Sequence, residues 1–134
     1  MKQVDYIDFL KNKMAISHQN GFNIEENELT PTLFPHVKDT VRWAVAGGCR
    51  AIFSSFGMQK TVTQLEICRI IIKHKGGKAL IVCPKRVVVE FISQAKQHMK
   101  MDVAYVRTMQ EVEACSCDIM ITNYERVRDG EVGI

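Results

Sequence analysis

Hydrophobic positions follow two different periods along this chain of 134 residues. In several segments they recur every three to four residues, which predicts amphipathic helices. We expect these helices over residues 3–17, from Pro35 to about Val45, from Lys60 to His74 and from Val88 to Met99. Proline is tolerated in the first turn of a helix, and the pairs Gly47–Gly48 and Gly76–Gly77 mark helix ends.

Short, wholly apolar runs lie between these helices and predict strands at residues 50–54, 79–83, 103–106 and 118–122. Short helices are expected over residues 109–114 and from Asn123 onward, and residues 18–35 are predicted to be a loop with a short strand near Phe22. Strands that are apolar on both faces need cover on both sides, which parallel sheets obtain from crossover helices. The order of elements therefore predicts an α/β fold with a parallel sheet and helices on both faces.

Composition excludes several classes of protein. The apolar runs fall short of the roughly 18 residues that a membrane helix needs, and the N-terminus lacks the apolar stretch of a secretory signal. Cysteine occurs five times, an odd number, and three of the five lie in apolar runs. This usage predicts reduced thiols and a cytoplasmic protein. A zinc site at Cys115, Cys117 and His98 is disfavoured by the Cys-x-Cys spacing.

Charge is unevenly distributed, although the formal net charge is only +3. Residues 1–49 contain five Lys or Arg and six Asp or Glu, whereas residues 69–100 contain eight Lys or Arg and one acid, Glu90. These positive charges line a track for phosphates or form the solvent faces of two helices. Lys85 and Arg86 are the better candidates for binding because they follow a strand, where α/β sheets bind ligands.

The segment AIFSSFGMQKTVTQLE has the layout of a phosphate-binding loop. A predicted strand leads through a glycine-containing turn into Lys60, Thr61 and a helix. Backbone N–H groups at such a helix start point at an anion, the lysine reaches the outer phosphates, and the threonine hydroxyl ligates Mg²⁺. An ordinary strand-to-helix turn with a solvated lysine is the alternative. The candidate ATP-binding residues are Ser55, Phe56, Gly57, Met58, Gln59, Lys60 and Thr61.

Four ordered segments, LFPHVKDTVRWA, AIFSSFGMQKT, ALIVCPKRVVVEF and IMITNYERV, together resemble the first RecA-like lobe of superfamily 2 helicases and translocases. Within that superfamily, the segments are most similar to the Swi/Snf-like and phage-type DEAD-like group. The resemblance implies a partial P-loop ATP-binding lobe over residues 36–134, preceded by a helix and loop over residues 1–35. It also implies ATP with Mg²⁺ at Lys60 and Thr61. Finally, it implies nucleic acid, DNA rather than RNA, at Lys85, Arg86, Thr122 and Asn123.

The sequence departs from the family pattern at three points. Gln59 replaces the glycine before the lysine, where the backbone must approach the phosphates closely. Val37 stands where the family has an adenine-reading glutamine, and no predicted strand ends in the Asp-Glu pair that holds Mg²⁺ and orients water. We therefore expect the ATP-binding portion of a helicase that needs a second lobe and hydrolyses little ATP alone. The alternative is a non-catalytic module that binds nucleic acid or protein, and an open sheet edge makes self-association a further hypothesis.

Overall fold

A computed structural model describes residues 6–10, 20–53 and 59–133 of the chain. Residues 6–10 are helical. The helices that follow are α1 (Pro35–Gly47), α2 (Lys60–Lys75), α3 (Val88–Met99), α4 (Met109–Ala114) and α5 (Tyr124–Arg128), and the strands are β1 (Ala79–Cys83), β2 (Val103–Tyr105) and β3 (Ile119–Asn123). Single 3₁₀ turns occur at Glu26–Glu28 and Lys85–Val87.

The three strands form a parallel sheet in the order β1-β3-β2. The central strand is buried at all five positions, which explains why its sequence is apolar on both faces. The chain is therefore a mixed α/β structure with a small parallel sheet, as the alternating periods predict. Because all strands run the same way, their carboxyl ends meet at one edge of the sheet.

Helix α2 lies between two hydrophobic clusters. On one side Leu65 packs with the sheet and with α3, through residues that include Phe91 and Ile121. On the other side α2 packs against α1 and the preceding loop, and this cluster consists of Ile24, Leu29, Leu33, Val37, Val41, Val45, Val62 and Ile70. The helix therefore joins the N-terminal segment to the sheet.

Helix α1 begins with Pro35 in its first turn and ends at Gly47, and the φ of 82° at the following C-cap residue, Gly48, favours glycine. Its last carbonyl groups accept hydrogen bonds from the loop: Asn20 N donates to Gly47 O, Gly21 N to Ala46 O and Phe22 N to Val45 O. These bonds satisfy carbonyls that a helix end leaves unpaired. They also place residues 20–22 against a helix, so the short strand predicted near Phe22 is wrong.

The strand predicted over residues 50–54 is not formed in its described part, residues 50–53. Within the described ranges the sheet contains only β1, β2 and β3, so this apolar segment has no strand beside it to supply ladder hydrogen bonds. Phe53 is 95% exposed. The predicted helix over residues 3–17 is described, and helical, only at residues 6–10. Across the described ranges, no helix combines the length and apolar character that crossing a membrane requires.

Candidate functional site

A cleft of about 640 Å³ opens between the first turns of α2, the end of β1 and one side of α3. Such a volume is within the range of small-molecule sites, and the carboxyl end of a parallel sheet is where α/β proteins bind ligands. The cleft is lined by Gln59, Lys60, Thr61, Val62, Gln64, Val82, Cys83, Pro84, Val87, Glu90, Phe91, Gln94, His98 and Tyr124.

Gln59 precedes α2 and adopts the left-handed conformation, with φ of 55° and ψ of 47°. Its carbonyl oxygen accepts hydrogen bonds from the Thr63 backbone N–H at 3.0 Å and from the Thr63 hydroxyl at 2.8 Å. A left-handed residue other than glycine costs about 1–3 kcal/mol. The backbone here therefore has the conformation that glycine favours, although the residue is glutamine.

Lys60 and Thr61 occupy the first turn of α2 and both line the cleft. Lys60 is exposed and Thr61 is half-buried. Among the described residues, no side chain caps this end of the helix. The N-terminal N–H groups of a 16-residue helix and its dipole therefore add to the lysine charge in attracting an anion. The other predicted members, Ser55, Phe56, Gly57 and Met58, lie outside the described residues.

The residues that line the first cleft include some of the groups that would bind a nucleotide with Mg²⁺. Lys60 supplies a cation, Thr61 supplies a hydroxyl oxygen, and Glu90 brings a carboxylate to the same cleft. Oxygen ligands of this kind suit Mg²⁺, which commonly uses one or two protein oxygens together with phosphates and water. Within the described ranges, no group of three or more His, Cys, Asp or Glu side chains is placed to hold a metal by itself.

A second cleft, of about 550 Å³, lies next to the first at the same edge of the sheet. It brings together Lys85, Arg86 and Asn123, three residues predicted to contact nucleic acid, with Tyr124 shared between the two clefts. Lys85 and Arg86 are both exposed in the 3₁₀ turn after β1. The fourth predicted residue, Thr122, is fully buried, and its hydroxyl lacks a hydrogen-bond partner among the described residues.

Asn123 is held rigidly at the end of β3. Its Oδ1 accepts a hydrogen bond from the Tyr105 hydroxyl at 2.8 Å, and its Nδ2 donates to Glu125 Oε2 at 3.5 Å. Since Tyr105 is the last residue of β2, this bond joins the ends of two adjacent strands. Asn123 is only 2% exposed, so the exposed polar side chains of the second cleft are those of Lys85, Arg86, Tyr124 and Glu125.

Several basic residues of the segment 69–100 have partners inside the protein. Arg69 binds Glu66, and Lys73 lies 3.9 Å from Glu28. The Lys75 ammonium lies 5.3 Å from the Phe22 ring centroid, and Lys78 donates to the Cys115 carbonyl. Each of these four side chains contacts a group of the protein itself, whereas Lys85 and Arg86 line the second cleft.

Val37 and Trp43, two residues that the sequence analysis considered, do not line either cleft. Val37, at the position where the family has an adenine-reading glutamine, is fully buried in the cluster between α1 and α2. It therefore offers neither a hydrogen bond nor a surface to a base. Trp43 is 50% exposed, with the Arg50 guanidinium 5.2 Å from its ring centroid.

Sequence reasoning missed the wall of the first cleft that α3 provides. Glu90, Gln94 and His98 are spaced four residues apart, so they share one side of the helix. The four-residue spacing of these polar residues, beside the apolar face of the same helix, could have indicated from the sequence that this side of α3 faces a cleft. Tyr105 and Glu125 were also missed, because their contact with Asn123 depends on strand order and on the turn after β3.

The cysteines are free thiols. Burial raises the pKa of Cys68 to about 11 and also raises the pKa of Cys83. A thiol with a raised pKa is mostly protonated near neutral pH and is a poor nucleophile. These two residues pack with the sheet cluster, so they have the structural role predicted for them.

No protein-family model matches the chain, and a search of curated proteins finds no match. The likeness to helicases therefore rests on the motif resemblance alone. A functional proposal for this chain has to be argued from its own residues and their geometry.

Proposed function

We propose that this chain binds ATP with Mg²⁺ in the first cleft, as the N-terminal ATP-binding portion of a DNA or RNA helicase or translocase. One observation carries the proposal. Lys60 and Thr61 stand on the first turn of a long helix and face a cleft of about 640 Å³ at the carboxyl end of a parallel strand. That arrangement combines a positive helix end, an exposed cation and a hydroxyl ligand, which is the chemistry a triphosphate needs.

The roles of the side chains follow from their types. Lys60 would contact the outer phosphate oxygens, and the Thr61 hydroxyl would ligate the Mg²⁺ that accompanies them. Mg²⁺ would supply neutralisation of phosphate charge. Lys85 and Arg86 in the neighbouring cleft would contact the nucleic-acid backbone, since both are exposed cations at the same sheet edge.

Little hydrolysis is expected from the residues described. Phosphoryl transfer depends on positioned charges and on a group that orients the attacking water. Glu90 is the only carboxylate that lines the first cleft among the described residues, and its side of α3 is exposed. Turnover would therefore need groups from a second lobe or another chain.

A calorimetric titration of ATP·Mg²⁺ into the purified chain tests the proposal. We expect weak binding that Lys60→Ala removes and Gln59→Gly tightens, because glycine takes the left-handed conformation without strain and lets the phosphates approach. Lys96→Ala, which removes an exposed lysine from α3 outside the cleft lining, is the matched control and should leave the affinity unchanged. Failure of the parent chain to bind at millimolar ATP contradicts the proposal.

A second candidate is a non-catalytic module that binds nucleic acid through the second cleft. Two observations favour it: Gln59 places a side chain where phosphates would approach, and Val37 is buried away from any base. We expect labelled single-stranded DNA to bind with an affinity that falls with salt, and the double variant Lys85→Ala/Arg86→Ala to flatten that dependence by about 1.4 units of slope. DNA binding without ATP binding would select this candidate over the first.

A further inference from the structure

One aromatic side chain lies at the boundary between the two clefts. Tyr124 and Pro84 line both of them. Pro84 directly follows the last residue of β1, and Tyr124 directly follows the last residue of β3. These last residues, Cys83 and Asn123, are partners in the parallel sheet. Tyr124 and Pro84 therefore leave adjacent strands at the same carboxyl edge.

Tyr124 is presented to solvent from an anchored part of the backbone. It is 57% exposed, whereas its neighbour Asn123 is buried. The Asn123 side chain accepts the hydrogen bond from the Tyr105 hydroxyl at 2.8 Å, which joins the ends of β2 and β3. Tyr124 belongs to neither hydrophobic cluster of the described residues. Core packing therefore does not account for the ring, and its anchored backbone limits the freedom that a ligand would have to restrict.

Two exposed cations accompany this ring. Lys85 and Arg86 follow Pro84 directly, in the 3₁₀ turn, and line the second cleft together with Tyr124. They do not line the first cleft, so they serve a ligand that extends beyond the nucleotide. Among the described residues that line the second cleft, Glu125 is the one carboxylate. Two cations against one carboxylate leave this cleft with a net positive charge, which suits a phosphate backbone.

We propose that Tyr124 stacks on an unpaired base of a single-stranded nucleic acid whose phosphates contact Lys85 and Arg86. This inference rests on the proposed contact of these two cations with a nucleic-acid backbone, and it adds a group that distinguishes a single strand from a duplex. Proteins that bind single strands without sequence preference combine a positively charged groove with aromatic side chains on which bases stack. A paired base inside a duplex is covered on both faces by its neighbours, so it has no face to offer the ring.

Fluorescence anisotropy with a labelled oligothymidine strand tests the stacking role. We expect Tyr124→Ala to weaken binding by about 5- to 150-fold, the loss that removal of one base–aromatic stack gives. Tyr124→Phe keeps the ring and should keep the parental affinity. The salt dependence of Tyr124→Ala should equal that of the parent chain, because no charge is removed. Tyr6→Ala removes another exposed tyrosine, which lines neither cleft, and should change nothing.

A strand of the same length that carries abasic sugars in place of the nucleosides separates stacking from charge. It keeps every phosphate but cannot stack, so we expect Tyr124→Ala and the parent chain to bind it equally. The double variant Lys85→Ala/Arg86→Ala should still lower the affinity for it, since the phosphate contacts remain. A thymidine–adenine duplex should bind the parent chain more weakly than the thymidine strand does.

Four results would overturn the proposal. Parental affinity of Tyr124→Ala for the thymidine strand would remove the stacking role, and the backbone contacts would stand if Lys85→Ala/Arg86→Ala still weakened binding. Tighter binding of the duplex would exclude selection of a single strand. Loss of ATP affinity in Tyr124→Ala with unchanged strand affinity would assign the ring to the nucleotide. Failure of the parent chain to bind the strand would overturn the backbone contacts as well. Thermal unfolding at the parental temperature confirms that each variant is folded.

Discussion

The two halves of helix α2 differ in what they contact: one packs against the N-terminal loop and the other faces a cleft. Its middle and C-terminal half are tied to the N-terminal loop by a buried carboxylate with a full set of hydrogen bonds. Its N-terminal turn begins at a left-handed glutamine and faces a cleft. The comparison teaches that one helix can hold the fold together at one end and line a cleft with its first turn at the other.

Glu66 is the centre of the anchored half and is fully buried. Its Oε1 accepts from the Thr30 backbone N–H at 3.0 Å, and its Oε2 accepts from the Thr30 hydroxyl at 2.9 Å. Arg69 binds both carboxylate oxygens, at 2.5 and 3.1 Å, and also donates to the Glu28 carbonyl at 2.7 Å. A buried charge paired in this way is costly to disturb from either side.

Replacement of Glu66 should give the largest effect on stability. Glu66→Gln leaves the Arg69 guanidinium without its counter-charge in a partly buried position, so we expect the free energy of unfolding to fall by about 3–5 kcal/mol. Urea denaturation with an unchanged m-value measures it. Glu113→Gln, an exposed change on α4, is the control and should stay within about 0.5 kcal/mol. A loss below about 1 kcal/mol for Glu66→Gln would contradict the claim that the hydrogen bonds of Glu66 hold α2 to the N-terminal loop.

Thr30→Val should cost less. It removes the hydroxyl that donates to Glu66 but keeps the backbone N–H, so we expect a loss of about 1.5–3 kcal/mol, typical of a hydrogen bond to a charged group. The exposed neighbour Thr32 supplies the control, Thr32→Val. Equal effects of the two substitutions in urea denaturation would mean that the hydroxyl contributes nothing specific.

At the other end of α2, Gln59→Gly should stabilise the protein slightly. The left-handed conformation costs a residue with a Cβ about 1–2 kcal/mol, and glycine removes this strain. The unfolded chain is more flexible with glycine, however, which offsets about 0.4–1 kcal/mol of the stabilisation. We expect a net gain of about 0.5–1 kcal/mol in thermal or urea unfolding.

Lys100→Gly is the matched control for that gain. Lys100 is the C-cap residue after α3 and has a φ of 51°, so Lys100→Gly should show the same stabilisation while leaving ATP affinity unchanged. If both substitutions tighten ATP binding equally, then relief of strain at Gln59 does not act through the cleft.

The smallest predicted effect is an acid-sensitive contribution from Glu28. The Glu25 backbone N–H, at 2.9 Å, lowers the pKa of this carboxyl below its usual 4.5, and the positive charges of His74 and Lys73 act in the same direction. Its stabilisation is therefore fully present above pH 4.5 and is lost as the pH falls through the lower folded-state value.

Comparison of the parent chain with Glu28→Gln in urea, from pH 5.5 down to pH 3, measures this contribution. We expect the stability difference to be constant at the higher pH values and to shrink on the acid side of 4.5. A difference that grows as the pH falls would reverse the sign assigned to Glu28. Glu113→Gln again provides the control, with a difference that stays small across the range.

The cleft shows where sequence reasoning succeeded and where it could not. The positions of Lys60 and Thr61 at a helix start followed from local pattern, as did the placement of Lys85 and Arg86 after a strand. The α3 wall with Gln94 and His98 requires knowing that α2 and α3 are neighbours. Glu66 looked like an ordinary helix glutamate, because burial of a carboxylate depends on a partner 36 residues away in the chain, Thr30.

The sequence alone determined the identity and bounds of most described elements. Strand β1 and helix α4 match their predicted ranges, because periodicity and glycine punctuation act within a few residues of the chain. Tertiary structure decided the rest: the order β1-β3-β2, the absence of a strand at residues 50–53, and the pairing of Glu66 with Thr30. A strand needs a neighbour for its hydrogen bonds and a buried charge needs a partner, and both come from distant parts of the chain.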